Sequence, residues 1–152
     1  MLMLTHLADV VPHHDNLFLF WDGQPPSPDR MDQIRVCLRS IRRHAPHARV
    51  HLFSNVIGPE QIEIPEVRLV RWELDALVAG SPLAGQCPAP DGDWVHWSDL
   101  FRVVALWRWG GSYWDLDDLL IRPITAPQSA MPACFLTHDQ AVRWQPAPII
   151  DG

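Results

Sequence analysis

Residues 98–118 read SDLFRVVALWRWGGSYWDLDD, and three signals follow one another there: an apolar helical pattern, a double-glycine stop and a run of carboxylates. Leu100, Val103, Val104 and Trp107 fall at i, i+3, i+4 and i+7, which predicts a helix with that stripe facing a core. Asp99 and Arg102 share a different face. Three positions apart on a helix, they are neighbours able to grip one polar object together. Gly110 and Gly111 supply the left-handed backbone that helix ends need. The residues after them read as a strand, whose alternation would put Tyr113, Asp115 and Asp117 on one face and Trp114, Leu116 and Asp118 on the other. Two carboxylates spaced this way lie about 6 to 7 Å apart along the backbone. Two such charges repel by roughly 4 kcal/mol at about 4 Å and an effective dielectric of about 20, so a counter-charge is expected. A hard divalent cation, Mn2+ or Mg2+, suits all-oxygen ligands, and no Cys or His stands nearby to complete a zinc set. A lone Asp-x-Asp is matched by accident in many solvated acidic turns, so the weight rests on its company.

That company is extensive. Ser98, Asp99, Arg102, Gly110, Gly111, Tyr113, Asp115 and Asp117 reproduce the pattern Ser-Asp-x-x-Arg, a helix, then Gly-Gly-x-Tyr-x-Asp-x-Asp. In this the chain resembles the nucleotide-sugar-dependent glycosyltransferases known by their DXD motif, the group that includes fungal initiating mannosyltransferases, α-1,4-galactosyltransferase and the large clostridial glucosylating toxins. The resemblance implies a GT-A fold, a donor such as a UDP-sugar or GDP-mannose, Mn2+ or Mg2+ at the carboxylates, and retention of anomeric configuration; the residues do not show the acceptor, for which a glycan is the default expectation and a protein side chain the alternative. Carried over position by position, it puts Asp117 on the metal and Asp115 on both the metal and the ribose. Asp99 and Arg102 would hydrogen-bond the donor sugar, and Tyr113 would line the donor site. Trp21, at the end of NLFLFWDG, matches a tryptophan that stacks on the donor base, a role for which a flat indole at a strand end is suited. No residue is identified as nucleophile or base. The blander readings are a core tryptophan for Trp21, a packed strand tyrosine for Tyr113 and a surface ion pair for Asp99 and Arg102.

Length and composition bound the remainder. A chain of 152 residues with 47% hydrophobic content is one domain with a real core, and a net charge of -6 without a basic run argues against nucleic acid as a partner. The opening MLMLTHLADVVPHHDN lacks the pattern of a signal peptide, and no apolar run is long enough to span a membrane. Cys37, Cys87 and Cys134, odd in number and widely spaced, suit small buried hydrophobes in a reducing compartment, and the expected location is the cytoplasm. His13, His14, His44, His47 and His51 invite a zinc reading, but Pro46 breaks any shared helical face, so a solvated surface is expected.

In chain order, residues 1–16 read as an N-terminal tail and 17–152 as the donor-binding domain. Leu17–Trp21 is an apolar run of strand length, followed by a Pro-rich loop. Arg30–His44 reads as a helix with Met31, Ile34, Leu38 and Ile41 on one stripe, Asp29 at its cap and Pro46 beyond its end. Strands are predicted at Arg49–Phe53 and Val67–Arg71, a short helix at Glu73–Val78, a long loop at Gly80–Asp93 and a last strand at Ala133–Thr137. This alternation defines an α/β fold, GT-A-like and Rossmann-type, with a mainly parallel sheet and ligands at the carboxyl ends of the strands.

Two rival functions share parts of this pattern. Haloacid-dehalogenase-like phosphatases also use Asp-x-Asp, but after an apolar strand near the N-terminus and not after Gly-Gly-Ser-Tyr-Trp. A non-catalytic nucleotide-sugar-binding module would carry the same residues. The closing RWQPAPIIDG has too little pattern to build an acceptor half, so the expectation is a domain incomplete at its C-terminus, self-associating or completed by a partner chain.

Overall fold

The structure, a computed structural model, describes residues 3–85, 94–123, 135–136 and 142–143. Four of the five residues in NLFLF are apolar, so both faces of that strand must be covered. It forms β2 (Asn16–Phe20), and every one of its residues is buried. On one side β2 pairs with β3 (Arg49–Phe53), on the other with β5 (Ser112–Tyr113), and β4 (Val67–Arg71) and β1 (Met3–His6) extend the sheet past β3. The order is β1-β4-β3-β2-β5, and every pairing is parallel. The fold is therefore α/β and GT-A-like, as the strand and helix alternation implied.

Strand periodicity sorts the core into two layers. Leu17 and Leu19 of β2, Val50 and Leu52 of β3, and Val67 and Leu69 of β4 pack on one face against Met31, Ile34, Cys37, Leu38 and Ile41 of α1 (Pro28–His44). Phe18 and Phe20, Phe53 and Val70 pack on the other face against Trp97, Phe101, Val104, Ala105 and Trp109 of α3 (Trp94–Trp109). The short α2 (Leu74–Val78) adds Leu77 and Val78 to this second layer. The stripe read on α1 is the stripe that is buried, but its cap is Ser27: the Oγ accepts the Arg30 N–H at 3.3 Å, Pro28 begins the helix, and Asp29 lies in the first turn.

On α3 the expected stripe is corrected. Val104 is buried, but Val103 and Trp107 are 61% and 57% exposed, and Trp97, Phe101, Ala105 and Trp109 face the sheet in their place. The cause is visible in WVHWSDLFRVVALWRW, which is apolar around most of its circumference, so spacing alone does not select the buried face. The aromatic side of the sheet does, through Phe101 stacked on Phe20 at 4.8 Å and set against Phe53 at 4.7 Å.

Two further corrections concern strands. Residues 3–6, read as part of a tail, form edge strand β1, register-paired from Met3 with Arg68 to His6 with Arg71. A four-residue edge strand has too few residues for its periodicity to stand out. The strand after the glycines ends at Tyr113, and the chain turns, the Asp118 N–H donating to the Asp115 carbonyl at 3.2 Å. Within the strand expected at 133–137, Phe135–Leu136 forms β6, paired antiparallel with β7 (Val142–Arg143); the rest of that span and most of the 80–93 loop lie outside the described residues. Among the described residues no helix is long and apolar enough to cross a membrane.

Candidate functional site

The sheet order creates the site. From β2 the chain builds outward through β3 and β4, then returns to place β5 on the opposite side of β2, so the order reverses between β2 and β5. In open parallel sheets a crevice forms at the carboxyl ends of the strands where this reversal occurs. Trp21 and Asp22 leave β2 there, and Trp114 and Asp115 leave β5. Backbone bonds hold both exits: the Trp21 N–H donates to the Phe53 carbonyl at 3.0 Å and the Trp114 N–H to the Phe18 carbonyl at 2.9 Å. The crevice is lined by Phe20, Trp21, Asp22, Arg30, Ser98, Tyr113, Asp115, Leu116 and Asp117.

The glycine pair sets the approach of β5 to β2. Gly110 and Gly111 have φ of 64° and 91°, and a Cβ on Gly111 would stand 2.2 Å from the Asn16 carbonyl oxygen. Only glycine lets the helix end so close to the central strand. Asn16 itself is a buried anchor, its amide donating to the Val11 and Trp109 carbonyls at 3.0 and 3.2 Å and its Oδ1 lying 3.2 Å from His51 Nε2.

Arg102 organises the acidic wall. Its Nη2 lies 2.9 Å from Asp99 Oδ1 and 3.4 Å from Asp115 Oδ1, and its guanidinium sits 4.7 Å from the centre of the Tyr113 ring. The pairing of Asp99 with Arg102 on one helical face is thus present, with Asp115 as a shared partner. Burial, and next the Asp115 charge, push the Tyr113 phenol upward from its ordinary value, so it stays a neutral hydroxyl. Asp115 and Asp117 both line the crevice, but they occupy a turn and not one strand face: Asp115 is half-buried and Asp117 exposed. The turn is pinned to α1 by buried Leu116 and Leu120, and the Leu120 N–H donates to Ser40 Oγ at 3.0 Å. Beneath it lies Cys37, a free buried thiol pushed up to about 12, mainly by burial and then by Asp118, Asp117 and Asp115.

Trp21 is half-buried at the rim, its Nε1–H donating to the Gln24 carbonyl at 3.0 Å, with the Arg30 guanidinium 5.3 Å from its ring centre. Asp22 and Arg30 are site residues that motif reading passed over. Asp22 accepts the Trp72 Nε1–H at 2.7 Å and the Gly23 N–H at 3.0 Å, while burial raises it from its ordinary carboxylate value. Its signal was its place at the end of an apolar strand; Arg30, on the helix opposite, has no signal in linear sequence.

The histidines divide. His51 is 1% exposed, contrary to the expected solvated surface, and burial, helped by Arg68 and Arg49, lowers it to about 4. His13, His14 and Asp15 bring potential ligand atoms within 4.8 Å of one another before β2, at the amino-terminal ends of the strands and away from the carboxylate turn. His13 Nδ1 there already accepts the Asp15 N–H at 3.1 Å.

Crevice, carboxylate turn and Arg102 bracket together define an α/β protein of GT-A-like fold with an acidic wall at its sheet reversal. Residues 32–135 match the family model described as glycosyltransferase sugar-binding region containing DXD motif, and the chain belongs to that family. Its function is accordingly of the glycosyltransferase type. Neither a curated protein nor a solved structure gives a significant match.

Proposed function

We propose that the chain binds a nucleotide-sugar donor, a UDP-sugar or GDP-mannose, and transfers its sugar to a glycan with retention, using Mn2+ or Mg2+ held by Asp115 and Asp117. The observation that carries this is the convergence of Trp21, Asp115 and Asp117 on one crevice at the switch point, with Arg102 bracketed between Asp99 and Asp115. The donor set fits a hard divalent cation. It consists of carboxylate oxygens, and the single Arg102 contact to Asp115, at 3.4 Å, is long for a charge-assisted bond and leaves lone pairs for a metal. When bound, the metal supplies Lewis-acid neutralisation of the departing diphosphate.

The remaining work belongs to the side chains. Trp21 offers an apolar face to the base. Asp99 and Arg102 hold hydroxyls of the sugar, the arginine through the fork donors not spent on carboxylates, and Asp115 reaches the ribose as well as the metal. Tyr113, neutral and half-buried under Arg102, keeps that guanidinium over the site. Thermal melting with UDP, GDP and their sugars, with and without Mn2+, tests the reading. The expected result is a rise in melting temperature that needs nucleotide and cation together; no rise with any pair contradicts it.

A further inference from the structure

The Ser27-Pro28-Asp29-Arg30 start of α1 places a cation that neither the carboxylate motif nor the matched residues 32–135 include. Ser27 Oγ fixes the Arg30 backbone in the first helical turn, and the side chain reaches back over the crevice to the Trp21 ring. Arg30 lines the crevice together with Trp21 and Asp117, and also lines the adjoining groove where Asp117 appears again. It therefore stands between the indole and the carboxylate turn. Among the described residues it is the one basic side chain lining the crevice, whose walls carry Asp22, Asp115 and Asp117. Among the described residues it makes no ion pair, whereas Arg102 is committed to two carboxylates. Its Nη1 donates to Gln33 Oε1 at 2.8 Å, which leaves most of its donors unspent.

A diphosphate is a multiply charged anion, and three carboxylates oppose its entry. A metal on Asp115 and Asp117 offsets part of that repulsion, and a planar fork of donors matched to phosphate oxygens offsets more. We propose that Arg30 is the phosphate-binding residue of the donor site: the base takes the Trp21 face over which Arg30 now rests, and the guanidinium turns to the diphosphate beside Asp117. This rests on the nucleotide-sugar reading above and adds to it the residue that discriminates a nucleoside diphosphate from a nucleoside. The exchange is feasible because a half-exposed cation–π contact is weak and a charge-assisted phosphate contact replaces it.

Calorimetry and ligand-observed NMR on the full chain with Mn2+, using UDP, UMP and uridine and the matching guanosine series, test it. Arg30→Ala is expected to lose tenfold or more in affinity for the diphosphate of whichever base binds, to change less than twofold for the nucleoside, and to regain part of the loss as Arg30→Lys. Arg30→Gln, closer in size, replaces the alanine variant if that one melts early. Equal losses for diphosphate and nucleoside overturn the assignment and make Arg30 a packing partner of Trp21. Unchanged diphosphate binding also overturns it, while leaving the donor reading intact. A wild-type chain that binds neither base series overturns the donor reading and this assignment with it.

Discussion

Asp117 and Asp115 differ in surroundings although they differ little in sequence. Asp117 is exposed on the turn, with its carboxylate turned to solvent and crevice, whereas Asp115 shares Arg102 with Asp99. Asp117→Asn, which keeps size and removes charge, is therefore expected to abolish cation-dependent nucleotide binding while shifting stability by no more than about 0.5 kcal/mol. Calorimetry giving equal affinity in both proteins would contradict it. Arg102→Ala is expected to weaken a nucleotide sugar much more than the bare nucleoside diphosphate, since Arg102 and its neighbour Asp99 are the proposed sugar-binding pair; equal losses would move its role to the phosphates. His51 yields a pH prediction. Its folded value, about 4, lies below the ordinary 6.5, so the neutral ring belongs to the folded state. Stability is then intact above pH 6.5, falls as the pH drops toward 4 because the unfolded chain takes up the proton first, and gains no further loss from this residue below that. A displacement of this size corresponds to roughly 3 kcal/mol. Denaturant midpoints between pH 7 and 4 should show the fall, and His51→Gln should flatten it; parallel profiles would refute the assignment.

At the scale of elements, α3 presents its aromatic side to the sheet and its Val103 and Trp107 side outward. Phe101→Ala removes a ring packed between Phe20 and Phe53 and should cost about 3–5 kcal/mol. Trp107→Ala removes a larger but exposed ring and should cost about 0.5 kcal/mol or less. Chemical denaturation of the two variants decides which face is buried, and a reversal of their order would restore the stripe first read from spacing. The α3–β5 corner supplies a second test. Alanine at Gly111 must adopt a positive φ, costing roughly 1–3 kcal/mol by itself, and its Cβ also meets the Asn16 carbonyl at 2.2 Å. Gly111→Ala should therefore unfold at clearly lower denaturant, and a melt like that of the parent would mean the corner yields freely.

For the molecule as a whole, the parallel sheet with α1 on one face and α3 on the other leaves the strand ends at the β2–β5 reversal as the place where the crevice side chains converge. With a net charge of -6 and three carboxylates on its walls, the crevice should accept a nucleotide only in company with a cation. A nucleotide sugar at 100 times its dissociation constant should add about 2.7 kcal/mol, a rise in melting temperature of roughly 5–10 °C for a domain of this size. A chelator should remove that rise. A rise that persists in its presence would show binding independent of the carboxylate turn.

By itself the sequence determined the class of the fold and the grouping of Asp99, Arg102 and Asp115. Strand and helix alternation, the α1 stripe from Met31 to Ile41 and the Gly110-Gly111 stop are local properties, set by periodicity and backbone conformation, and they reappear where expected. Asp99, Arg102 and Asp115 likewise meet because helix spacing and the glycine corner bring them together within twenty residues of chain. What only the tertiary structure decided involves groups far apart in sequence. The buried face of α3 depended on which side of the sheet offered aromatic rings, because a helix apolar all round carries no preference of its own. His51 became a buried neutral residue because it is register-paired with Phe18 inside the sheet, where the side chain of Asn16, 35 positions earlier, meets its Nε2. The strand expected through Asp118 became a turn because Leu116 and Leu120 found burial against α1, a gain that outweighs local β-pattern. Arg30 reached Trp21 and Asp117 for the same reason: parallel crossover connections return distant segments to one sheet edge, and no linear spacing records which charges will meet there.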